Sequence, residues 1–265
     1  MDHLLQPYED SVERIVTAQL QEEKHTCIEL INLTVEHSCY NAQTDVDRVD
    51  TAMLMRMVRD LRCILMMALR GYATQVASLA AGLAEQLGAL AIVAGNHEHA
   101  KEWLQQSRRQ EKGTRWHFPS KSNMGAERYN AEFVKGLVGT TWSCQAAKIF
   151  VRDTLSFLYE ELCKAKHADP DWEILDYYSA GDNSLVIGSA PLLDDLQMSR
   201  LRLILAVSTF LVSKAYWVYM WHHSPPDVLH LRHTEYQALD AATKTQMERA
   251  VRAFAEATKL DVAEF

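Results

Sequence analysis

Glycine and proline are scarce in this chain, 10 and 6 of its 265 residues. Frequent tight turns draw on both, so the shortage argues against many short strands and favours long helices. The five cysteines, Cys27, Cys39, Cys63, Cys144 and Cys163, are odd in number and form no C-x-x-C pair. That excludes a disulfide framework and a zinc ribbon. Free thiols fit a reducing, cytoplasmic setting. The opening residues Met1-Asp2-His3-Leu4-Leu5-Gln6-Pro7 offer neither a basic nor an apolar leader segment, so an ordinary secretory signal is not expected. No Gly-rich phosphate loop, G-x-S-x-G elbow or kinase motif set is found. Nor is there a repeat of fixed period or a low-complexity tract. The net charge of −8 excludes a protein that coats DNA or anionic membrane with its whole surface.

What is present is helical periodicity on a chain that is 48% hydrophobic. Val12, Ile15, Val16, Leu20, Cys27, Ile31 and Leu33 place one helix over Tyr8 to His37, with a polar gap at Gln21–Thr26. Thr44 is the candidate N-cap of a second, Asp45 to Leu69, with Asp47 in its first turn and a kink expected at Gly71. A third, Tyr72 to Ala94, carries the small-residue row Ala73, Ala77, Ala81, Ala84, Gly88, Ala91 and Gly95. Small side chains let another backbone come close, within the monomer or at a dimer seam. Asn96 is read as the cap of a helix reaching Lys112. Ala126–Leu137 and Ser143–His167 follow, the latter with the apolar row Val151, Leu155, Leu158 and Leu162.

Gly181-Asp182-Asn183-Ser184 is a turn cluster and predicts a small β-hairpin or irregular insertion near Asp176–Ile187. The run Leu201–Trp221 is long enough for a membrane span. Lys214 at its centre would cost about 2.5–3.5 kcal/mol in a bilayer, so a buried central helix is expected and no membrane partner. Lys214 should then reach an edge or a carboxylate. Ser224-Pro225-Pro226 ends that helix, and Thr234 is read as the N-cap of the last one, reaching Lys259. The expected fold is a single all-α domain, 1–265. Its parts are an N-terminal helix to 40, a helical core over 45–167, an insertion over 168–191 and C-terminal helices over 192–265. Together they form a multi-helix bundle around the buried helix.

Gly71-Tyr72, the Ala-rich helix with Glu85, Ala100-x-x-Trp103 and Tyr159-x-x-Leu162-Cys163-x-x-x-His167-x-x-Pro170 together resemble an uncharacterised all-helical family of bacterial proteins. The resemblance covers Asp45 to Trp221. It implies a setting in bacterial stress or phage defence and a polar site built on an Arg–Glu–His grouping, but no activity; His167, Cys163 and Glu85 are the candidate catalytic residues. The family's Arg in the Ala-rich helix has no counterpart here, where the stretch reads Leu79-Ala80-Ala81-Gly82-Leu83-Ala84-Glu85. More distantly the chain is similar to the HEPN helical superfamily, which includes ribonuclease toxins. Active members place Arg four to six residues before His. The nearest approach here, Arg109 to His117, has seven residues between.

Two constellations carry chemistry. Tyr159, Cys163 and His167 lie at successive i, i+4 positions and form one row ending at the helix breaker Asp169-Pro170. A thiol and an imidazole on one row can move a proton. Two ligands fall short of the four a zinc centre needs, so neither metal nor cofactor is expected. The second constellation is Lys101–Lys135, with eight Lys or Arg against four Glu, a net of +4. Arg108, Arg109, Arg115, Trp116 and Lys121 are its candidate nucleic-acid or nucleotide contacts, since a positive groove with stacking aromatics suits single strands. The leading expectation is a non-catalytic binding or regulatory protein acting by homo-oligomerisation or through a protein partner. The alternative is a HEPN-like nucleic-acid- or nucleotide-acting enzyme with a non-standard site near His167.

Overall fold

The computed structural model describes residues 2–38, 44–94, 98–101, 119, 121–140, 142–167, 177–180, 184–187 and 194–258. Within them the helices are α1 (Asp2–Gln19), α2 (Gln21–Ser38), α3 (Asp45–Leu69), α4 (Ala73–Ala94), α5 (Lys121–Met124), α6 (Ala126–Leu137), α7 (Cys144–Ile149), α8 (Leu155–Lys166), α9 (Asp195–His223) and α10 (Pro226–Thr258). A π turn, Phe150–Thr154, joins α7 to α8. Residues 98–101 are also helical. Strands β1 (Tyr177–Ala180) and β2 (Ser184–Ile187) pair antiparallel, Tyr177 opposite Ile187 and Ala180 opposite Ser184. The chain is an all-α bundle with one small hairpin.

α9 is the axis of the bundle, and α2, α3, α4 and α10 pack on it. Every residue from Leu203 to Met220 is buried. A helix apolar all round must be enclosed on all sides. By length and composition α4 and α9 are both apolar enough to cross a membrane. In α9 the whole apolar window lies inside the protein, and in α4 72% of it does. The sequence reading singled out only α9. α4 owes its apolar character to alanine.

Lys214 does find a carboxylate. Its ammonium donates to Asp240 Oδ1 of α10 at 2.5 Å and lies 4.8 and 5.3 Å from the ring centres of Phe210 and Trp142. Burial pulls the Lys214 pKa down, and Asp240 only partly offsets it. Asp240 also accepts from the hydroxyls of Tyr236 at 2.8 Å and Ser213 at 3.3 Å. One turn on, Tyr216 lies 2.5 Å from His37 Nδ1 of α2. Tyr219 lies 2.9 Å from the Thr51 hydroxyl of α3. At the helix end His223 bridges Asp47 at 3.1 Å and the fully buried Asp50 at 2.9 Å.

Thr44 caps α3 as expected, and the cap is reciprocal. Asp47 N–H donates to Thr44 Oγ1 at 3.1 Å, and Thr44 N–H donates to the Asp47 carboxylate at 2.7 Å. Burial would raise the Asp47 pKa. The bonds from Thr44 and the neighbouring His223 outweigh it and hold the group below its usual value.

Three boundaries differ from the sequence reading. The single N-terminal helix is two helices. Leu20 interrupts it, and Arg202 of α9 holds the break by donating to Gln19 O at 3.0 Å while pairing with the buried Glu23 at 3.1 Å. Gly71 ends α3 rather than kinking it, with φ at 87°, a conformation that suits glycine. The last helix starts at Pro226 and not at Thr234. Pro is a good first helical residue, because the missing N–H has no intrahelical acceptor there and φ is already set. The Ser224-Pro225 break is therefore as short as it can be.

The Lys214–Asp240 pair should respond asymmetrically to mutation. Asp240→Ala strands a buried ammonium and should cost about 3 kcal/mol. Lys214→Met leaves Asp240 with two hydroxyl donors and an edge on solvent, and should cost less than about 1 kcal/mol. Urea denaturation of both variants measures the difference.

Candidate functional site

The small-residue row of α4 decides where the site lies. Ala73, Ala77, Ala81, Ala84 and Ala91 are all buried within the monomer. A Cβ placed on Gly88 would lie 1.9 Å from the Tyr129 hydroxyl, and one on Gly136 would lie 2.1 Å from the Ala91 carbonyl oxygen. α4 and α6 thus meet backbone to backbone, and the row is used inside the monomer. Gly95 and the Asn96 cap lie outside the described residues.

One turn back along α4 from that contact lies a cavity of about 270 Å³. Its walls are Ala84 and Glu85 of α4, Tyr129, Asn130 and Phe133 of α6, Val151 of the π turn, and Leu155, Ser156 and Tyr159 of α8, with Lys121 of α5 at the rim. The π turn sets the α8 wall. Leu155 N–H bonds back to Phe150 O, one residue further than in an α-helix. The extra residue turns the helix so that Phe150 packs between Trp142 and Phe210, ring centres 4.7 and 6.0 Å away. Val151, Leu155 and Tyr159 then share the cavity side. π turns of this kind recur at functional sites.

The polar groups are few and specific. The Tyr159 hydroxyl donates to Glu85 Oε1 at 2.5 Å. Burial, then the bonds to Glu85 and to Cys163, push the Tyr159 pKa far up. Burial, with the Glu85 charge second, raises that of Tyr129. Both tyrosines are therefore neutral hydroxyls, fit to donate rather than to take a proton. The Lys121 ammonium sits 5.6 Å from the centre of the Tyr159 ring. Asn130 Oδ1 is buried with no hydrogen-bond partner. The Ser156 hydroxyl donates to Val151 O at 3.4 Å. Among the described lining residues there is no histidine to activate that hydroxyl, and so no nucleophile–base pair.

The structure brings Glu85 and Cys163 together through Tyr159. Cys163 is half-buried against the core, while His167 is exposed at the end of α8 and does not line the cavity. Of the basic constellation, Arg108, Arg109, Arg115 and Trp116 lie outside the described residues. Lys121 is described, and it faces Tyr159. No group of three His, Cys, Asp or Glu side chains placed to hold a metal occurs among the described residues. Burial pushes the Cys27 thiol up to about 12, which leaves it inert. Tyr129, Asn130 and Ser156 were not singled out in the sequence. The signal for Tyr129 was its place opposite Gly88, which no single-helix pattern shows. Comparison with family models, curated proteins and solved structures finds no match.

Glu85→Gln removes the charge that faces Tyr159, and the tyrosine should ionise at lower pH in that variant. Absorbance at the tyrosinate band, followed against pH for wild type, Glu85→Gln and Tyr159→Phe, measures this. An unchanged Glu85→Gln curve would remove the Glu85–Tyr159 bond from the site.

Proposed function

We propose that the chain is a non-catalytic binding protein, regulatory in role, whose binding element is the cavity between α4, α6 and α8. One observation carries the reading. A largely apolar hollow holds a few polar groups, the Glu85–Tyr159 pair among them, without a nucleophile–base pair among the described lining residues. Small-molecule sites have this make-up. Binding is passed on by self-association or a protein partner, in the bacterial cytoplasm. The defence setting rests on the family resemblance alone. His167, on which the HEPN-like alternative depends, is exposed and outside the cavity.

Ligand-observed NMR with a library of small organic molecules tests the reading. Binders should compete for one site, and Ala84→Phe, which fills the hollow, should abolish their signals while keeping the helical circular dichroism. The same protein should not cleave RNA, and His167→Ala should behave as wild type in that assay. RNA cleavage lost in His167→Ala would replace this reading with the enzymatic one.

A further inference from the structure

We propose that the ligand of this cavity is an uncharged, largely apolar molecule about the size of two fused rings. The inference rests on the reading of the cavity as a binding site and adds the class of ligand.

Size comes first. An apolar cavity of about 150 Å³ stays dry and takes a single benzene ring. The hollow here measures about 270 Å³. It has room for a second ring, and it falls just below the roughly 300–1,000 Å³ of pockets for drug-sized molecules. A nucleotide or a peptide exceeds it. Ala84 of α4, Val151 of the π turn, and Leu155 and the Tyr159 ring of α8 give it an apolar wall from three elements. A flat aromatic body gains most from such a wall, because Tyr159 offers it a ring to stack on or to meet edge to face.

Charge comes second, and the lining holds no uncommitted charge for an ion to meet. The Glu85 carboxylate is already engaged, by the Tyr159 hydroxyl at 2.5 Å and beyond it. Lys121 stands at the rim, over Tyr159 and exposed to solvent, where water screens its charge. An anion that entered would face Glu85 as a like charge, and a cation would pass Lys121 as one. Either would leave its hydration behind without a counter-charge inside to replace it. The neutral polar groups add little. The Ser156 hydroxyl donates to Val151 O at 3.4 Å, and the Tyr129 hydroxyl lies against Gly88. An uncharged molecule gives up little hydration on entry and gains the whole apolar wall.

The test is calorimetric titration of the whole chain with five compounds. Tryptophol, tryptamine, indole-3-acetate and L-tryptophan share one bicyclic body and are neutral, cationic, anionic and zwitterionic in turn. Benzyl alcohol is neutral and has a single ring. Tryptophol should bind at least about tenfold tighter than each of the other four, a difference of about 1.4 kcal/mol. Its binding should be lost in Ala84→Phe and weakened at least about tenfold in Ser156→Leu, a milder filling from α8, with wild-type circular dichroism in the latter. If any of the other four equals tryptophol, or if tryptophol binds Ser156→Leu as it binds wild type, the inference is overturned. It is overturned too if none of the five binds while the NMR library yields a binder that Ala84→Phe removes, and the cavity then remains a binding site. If none of the five binds and the library yields no such binder, the binding reading falls with it.

Discussion

A helix enclosed on every side must satisfy each of its polar groups inside the protein, and α9 meets this requirement with a different neighbour at almost every turn. Lys214 and Ser213 turn to Asp240 on α10. Tyr216 turns to His37 on α2, Tyr219 to Thr51 and His223 to Asp47 and Asp50 on α3. Arg202 reaches back to the α1–α2 junction. Hydrophobic burial alone would tolerate sliding or rotation of a helix this apolar. Polar pairs do not, because each partner left unmet costs as much as several buried methyl groups contribute. The polar groups thus set the register of three of the four helices packed on α9. The stacked Trp217–Tyr236 rings, 4.5 Å apart, add packing at the same level as the ion pair.

On the far side of α9 the bundle uses the opposite device. α4 presents alanine and glycine on this side, so α6 can lay the Tyr129 and Phe133 rings on Gly88 and bring the backbone of Gly136 against that of Ala91. Close approach of two helices at one level and a π turn in a third at the next leave space that no side chain fills. Glu85 lines that space directly after residues 79–84, which are Ala, Leu and Gly only. The Glu85 carboxylate accepts from the Tyr159 hydroxyl there. A hollow with few polar groups, and no nucleophile–base pair among its described lining residues, is the physical basis on which binding is proposed over catalysis.

Much of the fold was legible in the sequence because it is carried by local signals. The Thr44 cap, the apolar row Val151, Leu155, Leu158 and Leu162, the central helix and the need of Lys214 for a carboxylate are each properties of one segment. The break at Leu20 was not, because the Arg202 that holds it lies 182 positions along the chain. The start of α10 was missed because Thr234 is a good cap residue and Pro226, eight positions earlier, is a better first residue. Of the site, the Tyr159–Cys163 row and Glu85 were visible as residues, but nothing in the sequence said that they touch. Their meeting depends on the close approach of α4 and α6 and on the extra residue of the π turn, and both are tertiary facts.

That π turn also joins the two halves of the structure. Val151 faces the cavity, and its neighbour Phe150 faces Phe210 and Trp142, the two rings that flank the Lys214 ammonium. Adjacent residues of one turn therefore touch the proposed ligand site and the ion pair of the central helix. Contact alone does not amount to coupling, which requires an element with two discrete arrangements. What the π turn supplies is packing: the bond from Leu155 N–H to Phe150 O fixes the backbone that carries both side chains, so the cavity wall and the rings beside Lys214 are built on one turn.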